Sequence, residues 1–293
     1  MRRLPLLLVL LAASAASAQP EYRRSVAAPS VSFDVAHAIG DDLHFAGTAS
    51  ENGGPYTVDI GITSLVLTAS ARVPLVGRWA VVAEVPLMVS RFAQTVTGDL
   101  AGQESGTDTQ MDLGNVEAGV ELALRDGLRV GGRVRLPTTT RGAYCGEGDA
   151  DTAYSGLATD QEHLEAYVSN VLALTASADI DVPVRPHLGV RLRLAPDLLV
   201  NTEDSDQTDV ALGYGAHADL AVGPAVLSVG GVGRQYAKSD GFGGLFETDL
   251  ALVIGESAEI GGVRPGLTAR IPVFERYQFS DAVVAVSLDV PIR

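Results

Sequence analysis

Hydrophobic and polar residues alternate with a period of two along most of this chain. In segment 281–292, for example, Val284, Val286 and Leu288 fall on one face of an extended backbone, whereas Asp289 falls on the other. A helix cannot produce this pattern, because its apolar positions recur at intervals of three and four residues. The alternation therefore predicts β-strands.

Segments of this kind predict about twelve strands, many of them longer than the strands of soluble sheets. Such lengths suit strands that cross a bilayer at a tilt, which takes roughly 9–11 residues. The second strand loses its alternation near Thr63-Ser64, where a β-bulge would restore it. The predicted strands lie near 30–39, 56–73, 78–92, 111–125, 127–139, 164–182, 184–200, 208–222, 225–238, 245–260, 263–276 and 280–292.

Short and long connections alternate between these strands, as they do in outer-membrane barrels, which have short periplasmic turns and longer outer loops. We therefore predict an all-β fold, a transmembrane antiparallel up-and-down β-barrel of about 12 strands that spans residues 30–293. The predicted tight turns lie near 74–77, 125–127, 183–186 and 223–224, and the longer polar connections near 40–55, 93–110, 140–162, 201–207 and 238–244.

A secreted soluble β-sandwich is the alternative fold, because its strands also carry one apolar face. The length of the strands and the regular rhythm of turns favour the barrel. So does the composition, since only 5% of the residues are aromatic and large aromatics fill sandwich cores.

The N-terminus has the features of a secretory signal peptide. Arg2-Arg3 precedes an apolar run, and Ala16-Ser17-Ala18 offers a cleavage site of small residues. We predict a signal peptide over 1–18, a periplasmic N-terminal segment over 19–29, and a bacterial outer-membrane location for the mature chain.

The charge of the chain is strongly acidic, at −15. Nucleic acid is excluded as a partner, because phosphate binding needs a basic surface. The acidic residues cluster in the long connections, where they would face solvent outside the cell. Divalent cations are a candidate partner there, although adaptation to a saline habitat explains the same acidity. No segment has the spacing of a dedicated metal site, and no cofactor is predicted.

Charged side chains would line the lumen if the apolar face meets lipid. Their signs alternate from strand to strand, which favours pairing across neighbouring strands. These charges are either ladders that hold the barrel together or a constriction that selects solutes. The candidate lumen-lining residues are Glu117, Glu121, Arg129, Arg133, Arg135, Arg191, Arg193, Asp209, His217, Asp219, Glu247, Asp249, Arg264, Arg270 and Asp289.

Enzymatic activity is not predicted. The chain has no nucleophile elbow, no His-Glu-x-x-His and no phosphate-binding loop. Its one cysteine, Cys145, lies in a Gly- and Asp-rich stretch with no histidine pattern around it. His217 with Asp209 and Asp219 is the one strand-borne cluster of histidine and acid that merits inspection.

Three short motifs within 79–140 resemble those of outer-membrane transporters associated with the meta-cleavage pathway of phenol degradation. They are Val85-Pro86-Leu87, Asp112-Leu113-Gly114-Asn115-Val116 and Leu136-Pro137-Thr138-Thr139. Asn115 stands where that family has an acid, and Thr139 where it has a glycine. The resemblance implies passive transport of small organic solutes, including apolar or aromatic ones. The alternative function is a closed barrel with a structural or surface-interaction role.

Overall fold

The computed structural model describes residues 29–39, 43–48, 55–98, 106–139, 165–203, 208–237, 248–274 and 281–292. Among these residues no helix is long and apolar enough to cross a membrane. The strands are β1 (Ser30–Ile39), β2 (Leu43–Thr48), β3 (Pro55–Pro74), β4 (Trp79–Gly98), β5 (Gly106–Leu113), β6 (Glu117–Arg125), β7 (Leu128–Arg135), β8 (Val171–Arg185), β9 (Leu188–Asn201), β10 (Thr208–Val222), β11 (Ala225–Tyr236), β12 (Thr248–Ala258), β13 (Arg264–Phe274) and β14 (Ala282–Pro291).

These segments form a closed barrel of twelve strands. β1 and β2 pair in succession along β3, so together they make one barrel strand. β5 and β6 pair in the same way along β4. Sequence neighbours are otherwise paired around the whole sheet, and β14 pairs with β1 to close it. The predicted all-β transmembrane barrel of antiparallel strands is confirmed.

The two faces of each strand differ in the sense expected for a barrel in lipid. On β14, Val286 and Leu288 are 49% and 39% exposed, whereas Ser287 between them is 3% exposed. On β7, Val134 is 39% exposed and its neighbour Arg135 is 1% exposed. The apolar face is therefore the outer one, and it needs lipid to cover it. Polar and charged side chains occupy the inner face.

Tight turns connect the strands at one end of the barrel. Gly77, Gly127 and Gly223 adopt positive φ values of 74°, 75° and 61° in three of these turns, a conformation that L side chains rarely adopt. Both described termini lie at this end, where the Ile292 amide donates to the Pro29 carbonyl at 2.8 Å. An even number of strands, twelve, places both termini at the same end, and that this end faces the periplasm stays a prediction.

The hairpin of β3 and β4 extends past the membrane at the opposite end. Each strand has 20 residues, or about 66 Å of extended chain. Even at a tilt of about 40°, this exceeds an apolar band of about 25 Å. Much of the predicted connection 93–110 is consequently strand, because β4 continues to Gly98 and β5 begins at Gly106.

Several predicted boundaries are wrong. β3 pairs with β4 in one unbroken register, so β3 carries no bulge toward β4 near Thr63-Ser64. On its other edge, the register of β3 shifts by one residue between its pairing with β1 and its pairing with β2. Another irregular position lies on the β5–β6 side, at residues 114–116, which hold one residue more than β4 offers opposite them. The strand predicted from 164 begins at Val171. The strand predicted to 139 ends at Arg135, because Pro137 has no amide hydrogen for the ladder.

The predicted signal peptide over 1–18 and nearly all of the periplasmic segment over 19–29 lie outside the described residues. So do Cys145 and most of the acidic residues of the long connections.

Candidate functional site in the barrel lumen

The inner face carries buried charges on most strands. Nine of the sequence-predicted lumen residues are less than a tenth exposed, and four more are partly exposed on the same inner faces. The buried ones are Glu117, Glu121, Arg129, Arg133, Arg135, Arg193, Asp209, His217 and Arg270, and the partly exposed ones are Arg191, Asp219, Arg264 and Asp289. Glu247 lies outside the described residues, and the backbone register sets Asp249 opposite Arg234.

The densest group of ion pairs lies on β6 and β7. Arg133 donates to Glu117 at 3.1 Å and to Glu121 at 3.0 Å, and Arg135 donates to Glu117 at 2.9 Å. Arg72 on β3 donates to Glu121 at 2.9 Å and extends the group past β4 to the second barrel strand away. Each carboxylate thus bridges two guanidinium groups, an arrangement that satisfies buried charges better than isolated pairs do.

Residues 165–170, which we call the inner segment, fold into the lumen between β7 and β8. Glu165, Ala166, Tyr167 and Val168 are 4%, 1%, 1% and 0% exposed. Tyr167 lies in an apolar cluster with Ala36, Val66, Met88, Ala166, Val283 and Ala285, whose barrel members come from the inner faces of β1, β3, β4 and β14. The inner segment therefore occupies the space enclosed by the barrel.

Glu165 links the inner segment to the opposite, charged wall. One oxygen of its carboxylate accepts a hydrogen bond from Arg234 on β11, and the other lies 3.9 Å from Nε of Arg135 on β7. Arg234 also donates to Asp197 at 2.9 Å, and its guanidinium lies 5.3 Å from the ring centre of Tyr236. Because β7 and β11 are four barrel strands apart, this chain of contacts spans the lumen.

Asn115 holds the inner segment at its irregular position between β5 and β6. Its side-chain amide donates to the carbonyls of Glu165 and Val168, both at 2.7 Å, while its oxygen accepts from the Thr139 amide at 2.9 Å. Its backbone amide donates to the Ala166 carbonyl at 2.7 Å. The extra residue in the strand turns this side chain inward, as β-bulges do.

The three short motifs of the sequence meet at this anchor. The Gly114 amide donates to the Pro86 carbonyl at 2.9 Å, and the Thr138 hydroxyl donates to the Gly114 carbonyl at 2.9 Å. A Cβ on Gly114 would lie 2.6 Å from the Ala166 carbonyl oxygen, so only glycine permits the close approach of the inner segment. The motifs thus build one structural unit, although they are separate in sequence.

A cavity of about 430 Å³ opens at the end of the lumen where the tight turns lie. Arg191 and Asp219 line it, and Arg191 Nη2 donates to Asp219 at 2.8 Å. The Ser228 hydroxyl also donates to Asp219, at 2.5 Å. Ser228 therefore pairs with the acid directly and not through His217, which is not the order of a Ser-His-Asp relay. Asp209, the other acid of the predicted cluster, lies eight residues from His217 along β10.

The pairing across neighbouring strands expected from the alternating signs is present in places. Glu117 lies directly opposite Arg135, and Asp179 opposite Arg193, whose Nη1 is 3.8 Å from the Asp179 carboxylate. Asp181 instead accepts from Arg129 at 3.2 Å. Beside the tight turn between β12 and β13, Arg264 lies 3.9 Å from Glu259.

The ion pairs that connect Arg72 through β6 and β7 to Arg234 and Asp197 form one network in the described part of the chain. Five of its residues were not among the sequence-predicted set: Arg72, Glu84, Glu165, Asp197 and Arg234. Arg72 follows Ser64, Thr68 and Ser70 at even spacing, so the alternation alone signals its inner face. Alternation could not place Glu165, because the inner segment that carries it is not a strand.

Metal-ligating side chains do not cluster in threes within the described ranges. Binding of divalent cations by the acidic connections stays a prediction, since those segments lie mostly outside the described residues.

No family model matches the chain, and no curated protein matches its sequence. Among solved structures, it is similar to an outer membrane channel from Pseudomonas putida F1, with a TM-score of 0.55 at 11% identity over 94% of this chain and 100% of that one. The NanC porin gives a TM-score of 0.44 at 8% identity over 89% and 99% of the two chains. The toluene transporter TbuX of Ralstonia pickettii gives 0.43 at 12% identity over 91% and 90%. At 11% identity, the likeness to the outer membrane channel of Pseudomonas putida F1 concerns the fold alone.

Proposed function

We propose that the chain is a barrel of the bacterial outer membrane through which small organic solutes pass passively. The fold is shared with an outer membrane channel, and the apolar outer face requires lipid. Lipid and a small-molecule solute are then its partners. The predicted lumen residues would line the path of the solute.

The charged inner face is the observation that carries this proposal. A barrel that served only as a scaffold could fill its interior with side chains and leave no cavity, as small eight-stranded barrels do. Here the interior holds a network of arginines and carboxylates together with a cavity of about 430 Å³. Polar lumens of this kind conduct solutes in pores.

The solutes we propose are apolar or aromatic organic compounds, as the motif resemblance implies. The apolar cluster around Tyr167 supports this class, because it places Val66, Met88 and Val283 on the inner faces of adjoining barrel strands. A solute with an apolar body would find contact there that a purely charged lumen would not offer.

A closed structural barrel is the second candidate, and the inner segment favours it. Residues 165–168 are at most 4% exposed, so no wide aqueous path passes over them in this conformation. The two candidates differ in whether the inner segment ever leaves its site.

Planar-bilayer recording of the refolded chain separates the two candidates. Passive transport predicts discrete current steps from protein that migrates anomalously on gels when unboiled, the signature of an intact barrel. Silence from such well-folded protein would favour the closed barrel. Extraction of the chain as a monomer without detergent would contradict the membrane location itself.

A further inference from the structure

The inner segment presents two chemical groups to two different walls of the lumen. The carboxylate of Glu165 meets Arg234 and Arg135 on the charged wall. Two residues later, Tyr167 packs into the apolar wall with Met88 and other small and aliphatic side chains. A carboxylate and an aromatic ring are thus held a short distance apart within one buried site.

The two walls belong to the barrel, whereas their occupant does not. Arg135, Arg234 and Met88 lie on strands that pair on both sides in the sheet. The inner segment forms no strand. Its backbone hydrogen-bonds to the barrel through Asn115 and through the Asn170 carbonyl, which accepts from the Thr202 amide at 2.7 Å. The segment can therefore withdraw while the walls stay in place.

Withdrawal would leave a site with a guanidinium at one end and an apolar wall at the other. Arg234 would keep Asp197 on one nitrogen and lose the carboxylate on the other. Around this site, Arg72, Arg133, Arg135 and Arg234 face Glu84, Glu117, Glu121, Asp197 and Glu165. Four arginines and five carboxylates give the occupied site a net charge of −1. When Glu165 withdraws, the net charge becomes zero, and one incoming anion restores it to −1.

We infer that the lumen binds small organic acids with an apolar or aromatic body at this site, in competition with the inner segment. The carboxylate of the solute takes the place of Glu165 on Arg234, and its apolar body takes the place of Tyr167. This inference rests on the proposed transport function and names the solute class and the gate. A neutral analogue of the same shape lacks the charge for Arg234 and does not compete.

Equilibrium binding and conductance together test the site, with benzoate as the probe and benzamide as its neutral control. Calorimetric titration of the refolded full chain should show benzoate binding and no benzamide binding. In Glu165→Gln the carboxylate that competes with benzoate for Arg234 is absent, so the affinity for benzoate should rise by a factor of about ten or more. The matched variant Glu203→Gln removes one exposed acid outside the lumen and should bind benzoate as the unmodified chain does.

Arg234→Gln should lose benzoate binding, and Arg234→Lys, which keeps the charge, should retain part of it. Each variant is compared only after it shows the gel shift of an intact barrel. In bilayers, benzoate should raise the open fraction of the unmodified chain, and benzamide should not.

The outcomes distinguish this site from the transport function. Selective benzoate binding by a chain that never conducts would overturn the transport function and leave the site standing. Conduction with equal responses to benzoate and benzamide, or with unchanged benzoate binding in both Glu165→Gln and Arg234→Gln, would overturn the site and leave transport standing.

Discussion

Replacing Asn115 by aspartate isolates the hydrogen bonds that hold the inner segment in the lumen. The carboxylate keeps an acceptor for the Thr139 amide, which now donates at 2.9 Å. It cannot donate to the carbonyls of Glu165 and Val168, which the amide reaches at 2.7 Å. The substitution also puts the acid of the resembled motif into this chain.

The expected effect follows from the two lost hydrogen bonds. Each contributes about 1 kcal/mol net, so the inner segment loses about 2 kcal/mol of stability in its lumenal position. Repulsion between the carboxylate and the two carbonyl oxygens adds to this figure. Since about 1.4 kcal/mol is a factor of ten, the withdrawn population should rise about 30-fold.

Thiol labelling measures this population directly. Ala166→Cys in a Cys145→Ser background leaves one thiol, at a position that is 1% exposed in the structure. When opening and closing are faster than labelling, the rate with a water-soluble maleimide follows the open population. The rate should therefore rise about 30-fold on adding Asn115→Asp. A thiol at the exposed position of Glu203 should label equally fast in both backgrounds.

Equal labelling rates with and without Asn115→Asp would refute this account of the anchor. A rise accompanied by loss of the gel shift would also refute it, because the barrel and not the inner segment would then have opened.

Three further substitutions test the barrel around the site. Glu121→Gln removes a carboxylate shared by two buried arginines and should lower the free energy of unfolding in a urea titration by about 3 kcal/mol; an unchanged midpoint would mean that the pairs contribute nothing. Gly230→Ala puts a Cβ 2.2 Å from a neighbouring backbone oxygen and should lower the free energy of unfolding by about 1–3 kcal/mol in the same titration. In the control Gly132→Ala the added Cβ meets nothing within 4 Å, so the free energy of unfolding should change by less than about 0.5 kcal/mol. Leu194→Arg on the outer face, where Leu194 is 54% exposed, should destabilise the barrel in bilayers by about 2–4 kcal/mol. Val76→Arg in the tight turn between β3 and β4 should have little effect, and equal effects of the two substitutions would contradict the lipid-facing assignment.

The strands and their faces were predictable because a period of two records which side of a sheet each residue occupies. Arg133 and Val134 are adjacent in sequence, yet the first is 6% and the second 39% exposed. No other regular structure produces that contrast between neighbours. The number of barrel strands followed from the same signal together with the turn residues and polar connections, since the loss of alternation near Thr63-Ser64 falls inside the continuous strand β3.

The inner segment was not predictable for a related reason. Glu165, Ala166, Tyr167 and Val168 alternate polar and apolar residues as a strand does, so the pattern extends the following strand back to residue 164. Asn170 separates this segment from β8, because its φ of 60° turns the chain out of the extended conformation. Asparagine tolerates this φ without requiring it, and the sequence therefore does not reveal the turn.

The other residues of the network were not predicted, because each is the lone charged residue on the inner face of its part of the strand. The candidate set was drawn from strands whose charges oppose those of a neighbouring strand. Arg72 and Arg234 each stand alone among small or uncharged residues of their inner faces. Their partners Glu121 and Glu165 lie on other parts of the lumen, and a pattern within one strand contains no information about contacts across it.

The hydrogen bond between the Ile292 amide and the Pro29 carbonyl completes a pairing unlike the others around the barrel. Every other neighbouring pair joins segments that follow one another along the chain, whereas β1 and β14 join residues 30–39 to residues 282–291. Closing that contact means closing a loop of most of the chain, which is slow relative to forming local hairpins. The sheet can therefore grow by adding hairpins from either end, but the barrel can close only after the ten residues of β14 are in place to pair with β1.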